Sequence, residues 1–518
     1  MGMRKRSKYF AVSTLALLSL GTITACGTST STTSPPSSPA VNTSNQTLNI
    51  GLSADPPTLD PAYSSALVDR QVMFNLYDTL FQLSSKNTII PDLVKSYTVS
   101  PDGLTYTLQL HQHVKFQDGT PFNAAAVKFN LTRDMQPASA RHSSLADVTN
   151  VTTPSTYTVV IQLKKPLSPL PAILAGRAGM MVSPTAVQKE GSNYPNDPVG
   201  TGPFEFKSRV KGSTIKLVRN PHYWRAEPKL SAVTYRIFTD PNVELTNLQS
   251  GAVQIVDTVP PQQVSSMEQN SNFTVVNHTG LGYEGVYLNV KQGPFTNLFL
   301  RQAVNLAINR QTLVNVALKG VATPANSPFS AASPVYNAQE DVPPTASTSE
   351  MKRLLSEGGK PHGFSFTLQS ANDPVTTQVD QIMQSMLAQY GIQMKIEQLD
   401  FGTLLANNEA HNFQASFLGW SGRLDPDQNV YSFFYKNGAL NASQFVNAQA
   451  DTLLNQARQE SSMAQRAKTY AAFVQIIQQQ VPYVFLYHQN NVFAYAKTVQ
   501  GFHYYSDGVI RAYGLSLS

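Results

Sequence analysis

The chain has 518 residues, 41% of them apolar and only 14% charged. That is too long for one hydrophobic core, so two or three domains are expected; a charged fraction well under the roughly 25% typical of globular proteins, replaced by Ser, Thr, Asn and Gln, suits a protein outside the cytoplasm. The formal charge of +6 does not mark a nucleic-acid binder: Arg4, Lys5, Arg6 and Lys8 carry much of it, and without them 34 basic residues face 32 acidic ones with no basic run in the body.

The chain opens with a basic stretch, an apolar run over about residues 10–20 and then small residues, the order of a secretory signal peptide spanning 1–25. The apolar run is shorter than the about 20 residues that span a bilayer. Cys26 is the only cysteine, so no internal disulfide is available. It follows Ile23-Thr24-Ala25, which is similar to the cleavage motif of bacterial lipoproteins, and a lipidated Cys26 would then hold the protein to a membrane. Residues 26–46 are almost all Ser, Thr, Pro, Asn and small residues; such a segment buries too little to fold and reads as a tether.

The body begins with an alternating strand at 47–53, a Pro-rich loop, and a helical pattern through Val68, Val72, Leu76 and Leu80. Leu104, Tyr106, Leu108 and Leu110 alternate between turn signals, as in a strand with one buried face, and Asn123 is placed to cap the helix that follows. Residues 204–219 read as two strands. Their preceding Gly200-Thr201-Gly202 is followed by Pro203 and Phe204, so it does not open a phosphate-binding helix. From Tyr283 onward the pattern becomes strand, helix, strand: 284–290, then one helix over 298–318, then a βαβ unit in which the helix carries Val379, Ile382, Met383, Met386, Leu387 and Tyr390 on one face and stops at Gly391. Two helical runs (about 450–460 and 462–480) and further strands complete the chain.

No metalloprotease, serine-hydrolase or cysteine-nucleophile signature occurs. His111 and His113 lie on the face of their strand opposite the apolar residues, without a nearby third ligand, and read as solvated. Neither a cofactor nor a metal is expected.

The blocks "PDLVKSYTVSPDGLTYTLQLHQHVKFQDGTPFNAAAVKFNLTR", "DPVGTGPFEF", "RNPHYW", "YLNVKQGPFTNLFLRQAVNLAINR" and "MKRLLSEGG" resemble, in order, those of the family 5 extracellular solute-binding proteins, the oligopeptide-, dipeptide- and nickel-binding lipoproteins of ATP-binding cassette (ABC) importers. The resemblance covers nearly the whole mature chain. It implies an α/β periplasmic-binding-protein type II-like fold of two lobes with an extra α+β subdomain in the first (cluster C): lobe 1 over 47–283 with the extra subdomain at about 89–197, lobe 2 over 284–487, and a return to lobe 1 over 488–518. Crossings between lobes are expected near 283–289 and 487–492. A ligand would bridge the lobes and stabilise their closure, and a monomer on the outer side of the bacterial cytoplasmic membrane would deliver it to the permease subunits, with no nucleic-acid partner.

Peptide-binding members carry, after a tryptophan matching Trp420, an Asp that pairs with the peptide ammonium. Here the line runs Trp420-Ser421-Gly422-Arg423-Leu424-Asp425 and is one residue shorter. Arg423 stands nearest the acid's place, which reverses the charge and favours a carboxylate; the opposing reading pairs Arg423 with a protein acid such as Asp425. Asp425 is itself a second candidate for the acid, though an Asp before Pro looks structural. The expected binding residues are therefore Trp420, Gly422, Arg423 and Asp425, with Tyr283 at the lobe crossing, Arg177 as an isolated charge in an apolar run, and Tyr63 and Ser64 in a loop that lines the cleft in the family. A small peptide is the family default; glutathione, an opine-like or other carboxylated solute, and a metal chelate are the alternatives. A ligand-sensing or chaperone lipoprotein on the same fold, or a secreted hydrolase, remains a different class of reading.

Overall fold

The computed structural model describes residues 46–518. The signal peptide, Cys26 and all but the last residue of the predicted tether lie outside them. Among the described residues no helix is long and apolar enough to cross a membrane.

The strand Thr47–Leu52 pairs in parallel with Ala232–Ile237 and with Ile255–Val256. The antiparallel strands Thr214–Arg219 and Phe204–Val210 extend this half of the sheet. Leu48, Ile50, Leu52, Leu217 and Tyr235 turn inward to form its core with the helix Leu67–Leu76. The second half is built on the parallel pair Ser365–Ala371 and Gln393–Leu399, joined by the helix Pro374–Ala388. This is the predicted βαβ unit; Val379, Met383 and Leu387 are fully buried beneath it.

One long strand, Tyr483–Ala496, unites the halves into a 12-stranded sheet. Its first residues pair with Glu284–Leu288 and its later ones with Phe273–Thr279. The chain therefore passes from one half to the other at 280–283, and back again inside the long strand. A separate antiparallel sheet, ordered Val94–Val99, Thr105–Leu110, Thr158–Leu163 and Val148–Ser155, packs with the helix Ala124–Asp134 on a core of its own. Asn123 caps that helix, its Oδ1 accepting from Ala126 N at 3.1 Å. The fold is thus the mixed α/β, two-lobed architecture with an added α+β subdomain.

Two predicted helices are shorter than their apolar spacing suggested. The first stops at Leu76, because the Leu76 carbonyl is taken by Gly202 N at 2.9 Å and by Gln117 Nε2 at 3.0 Å. Phe81–Leu83 then forms a strand. The run over 298–318 is two helices, Leu298–Ala307 and Arg310–Val316. Asn309 caps the second, accepting from Thr312 N at 3.0 Å, while the buried Arg310 guanidinium donates to the freed carbonyls of Asn305 and Ile308 and to Phe485 O. His111 lies just beyond the end of its strand, its ring 5.1 Å from that of Trp224.

Candidate functional site

A cavity of about 630 Å³ opens where the two crossing segments meet, within the size range of small-molecule sites. One wall comes from the first lobe (Ser53, Ser65 to Val68, Asp257 to Pro261), the other from the second (Asp373, Asp400, Phe401, Leu404, Leu405, Phe417 to Ser421). Segments 280–287 and 487–493 form the back.

The loop after the strand Ala415–Phe417 is tied to the first crossing by backbone: Tyr283 N donates to Trp420 O at 3.0 Å and Trp420 N to Tyr283 O at 2.8 Å. Gly422 has φ +74°, and a Cβ there would strike the backbone of Leu281 and Gly282, so only glycine fits. Asn429 fixes the rest of the loop. Its Oδ1 accepts from Trp420 Nε1 (3.1 Å) and Arg423 N (2.8 Å), and its Nδ2 donates to Arg423 O (2.9 Å).

Trp420 borders the cavity and is held against Phe433. Tyr283 also borders it, but its ring is 1% exposed, packed among Phe433, Tyr483 and Phe485, with its hydroxyl donating to Asn429 O at 3.1 Å. Arg423, Arg177 and Ser64 stand one layer behind the wall. The Arg423 guanidinium lies over the Trp420 ring, 4.2 Å from its centre, and donates to Ser421 Oγ and Gly422 O. Arg177 Nε donates to Ser64 Oγ at 2.7 Å, and its Nη2 to Ala66 O. The remaining two candidates are elsewhere. Asp425 is engaged by both terminal nitrogens of Arg466 at 2.8 and 2.5 Å, which leaves it a structural ion pair and removes it as a partner for Arg423. Tyr63 is 49% exposed with its ring beside Arg133.

Behind the wall, Arg423 from the second lobe meets Arg70, Arg141 and Arg177 from the first. Burial and then the Arg70 and Arg177 charges hold Arg423 well below the ordinary arginine range, and burial with Arg141 and Arg70 does the same to Arg177. Burial lowers Arg70 and Arg141 to about 10 each. The acids among them compensate incompletely. Asp507 is shared by Arg70 (2.8 Å) and Arg511 (2.9 Å) and is held down at about 2, those cations outweighing its burial. Burial raises Asp69, beside Arg177, to about 6 and Asp134, near Arg141, to about 8. Arg70 Nε, Arg141 Nε and Arg177 Nη1 are buried donors without an acceptor among the described residues, a costly arrangement in the absence of an anion.

The lining itself is of opposite sign: among the described residues five carboxylates and no lysine or arginine border the cavity. Four are occupied by the protein. Asp257 accepts from Ser53 N (3.1 Å) and Oγ (3.3 Å), and Asp373 caps its helix at Val375 N (3.0 Å). Asp400 accepts from Thr403 N (3.0 Å), and Glu409 accepts from Ser65 Oγ (3.0 Å) across the cleft. Glu284, the fifth, has no hydrogen-bond or ion-pair partner among the described residues; burial, then Asp373, raises its carboxyl to about 8. Sequence reasoning missed it. An isolated acid in "YEGVYLNV" was the available signal, since strand alternation puts residue 284 on the face opposite a buried Tyr283.

The family model for bacterial extracellular solute-binding proteins, family 5 Middle, matches residues 88–441. The chain is a family 5 extracellular solute-binding protein. As such it belongs with the substrate-binding components of ABC importers, which are binding proteins and not the pump. It is 35% identical over 459 residues to the glutathione-binding protein GsiB of Escherichia coli strain K12, covering 86% of this chain and 89% of that one. Among solved structures this solute-binding protein resembles the periplasmic binding protein DppA of Helicobacter pylori in complex with the peptide STSA (TM-score 0.86, 26% identity, 91% of this chain and 98% of that one). It also resembles the binding protein AgaA of A. tumefacien R10 in complex with agropinic acid (TM-score 0.85, 27% identity, 91% and 99%).

Proposed function

We propose that this protein captures a small peptide or peptide-like, carboxylated solute between its lobes and hands it to the permease of its importer. The buried arginine group carries this reading. Four guanidiniums from both lobes converge where the lobes meet, three of them with unused buried donors, and a ligand carboxylate drawn toward them would stabilise the closed form through contacts that the open form lacks. Within the group Arg423 would attract the carboxylate through the wall at Ser421, and Trp420 would pack against a planar or apolar part of the ligand. Arg177 would hold the Ser64 loop that faces it. The relatives support this ligand class, since GsiB is named for glutathione and the AgaA structure holds agropinic acid; both are carboxylated solutes. In the same reading Cys26 is lipidated after removal of the signal peptide, and the protein works as a monomer on the outer face of the cytoplasmic membrane.

Titration calorimetry with reduced glutathione tests the proposal. The wild-type protein is expected to bind it, and Arg423→Ala to bind at least about 10-fold more weakly. Unchanged affinity in the variant would remove Arg423 from ligand recognition.

A further inference from the structure

A carboxylate facing a cavity without a protein partner is destabilising unless something completes it. Glu284 is such a group. Its strand pairs with Ala415–Phe417 on one side and Tyr483–Ala496 on the other, and Glu284 pairs with Tyr487 at a β-bulge of that ladder. The surface around it is aromatic: Tyr287, Tyr487 and Trp420 line the same cavity, and aromatic faces attract cations. Position 419 is glycine, and the Glu284 carboxylate fills the space a side chain there would take.

We propose that Glu284 is the receptor for a primary ammonium on the ligand, at the hinge end of the cavity, so that the solute is zwitterionic and lies with its amine at Glu284 and its carboxylate toward the arginine group. This rests on the solute-capture reading above and specifies it. The ammonium would replace the missing protein partner and hold Glu284 ionised. The titratable groups that bear electrostatically on Glu284 do not supply a cation: they are Asp373 at the helix N-terminus and Tyr283, Tyr287, Tyr483 and Tyr487, the four phenols all being raised by burial and so neutral.

The test is calorimetry on the full mature protein with two matched pairs, trialanine and N-acetyl-trialanine, and glutathione and N-acetyl-glutathione, together with agmatine as an amine lacking a carboxylate. Wild type is expected to favour the free amine by about 30-fold or more, with affinity rising from pH 6 to pH 8 as Glu284 ionises. Glu284→Gln is expected to bind both members of each pair alike and to lose the pH dependence, and Glu284→Asp to restore part of the preference; circular dichroism verifies that each variant is folded. A free-amine preference that survives in Glu284→Gln would overturn the assignment, as would affinity that falls with rising pH. If no peptide binds wild type but agmatine does, through Glu284, the subsite stands and the carboxylated-solute reading fails. If none of the five probes binds, the subsite fails.

Discussion

The carboxylate of Glu284 lies directly over Gly419, so that a Cβ added at 419 would collide with both carboxylate oxygens. Glu284 opens the strand Glu284–Leu288 and Gly419 lies in the loop after the strand Ala415–Phe417, and together they form one unit at the back of the cavity. Gly419→Ala is therefore expected to push Glu284 aside and to reproduce the ligand-binding loss of Glu284→Gln with the carboxylate still present. Calorimetry with trialanine checks this, and equal affinity in Gly419→Ala and wild type would separate the two positions.

Gly422 carries a different constraint. Its φ of +74° and its contact with Leu281 and Gly282 make Gly422→Ala destabilising by about 3 kcal/mol, from left-handed strain plus collision. The loss is expected as a lowered urea midpoint with little change in slope.

Asp425 and Arg423 are two residues apart and are expected to behave oppositely. The Asp425–Arg466 pair is nearly buried, with side chains 11% and 4% exposed, so Arg466→Met is expected to cost about 3 kcal/mol by leaving Asp425 unpaired, while the folded fraction keeps its ligand affinity. Arg423→Ala is expected to lower affinity and to leave stability unchanged or raised, because it relieves repulsion with Arg70 and Arg177. Paired denaturation and binding measurements distinguish the two outcomes.

How much of this was legible in the sequence follows from which forces are local. The strand alternation, the Asn123 cap and the βαβ unit depend on neighbouring residues and were readable, as were the blocks that carry the family resemblance. The break at Ile308–Asn309 was not, because the Arg310 guanidinium that stabilises it reaches Phe485 in a distant strand. Trp420 and Arg423 stand out in a short stretch, but their geometry does not: the stacking of one on the other and the anchoring by Asn429 are tertiary. The partner of Asp425 was not legible for the same reason, Arg466 being 41 residues away. Glu284 was not legible because its place in the cavity, over Gly419, is set by tertiary contact between distant segments.

The buried acids predict a pH dependence for the ligand-free protein. Burial raises Asp69 to about 6, Asp380 to about 7, and Asp134 and Glu284 to about 8 each, against unfolded values near 4. The folded state thus holds protons that the unfolded state has released. The contribution of these four acids is full below about pH 4 and is lost as the pH rises through 6 to 8. Urea midpoints are expected to fall from pH 5 to pH 8.5 by a margin worth several kcal/mol, with a smaller fall in Glu284→Gln.

The measurement that bears most directly on solute capture is native mass spectrometry of the protein purified without refolding, followed by release under denaturing conditions. The account predicts a small solute bound one to one and recovered unchanged, carrying both an amine and a carboxylate. A protein that is empty as isolated, and that neither binds nor is stabilised by glutathione or short peptides, would contradict it.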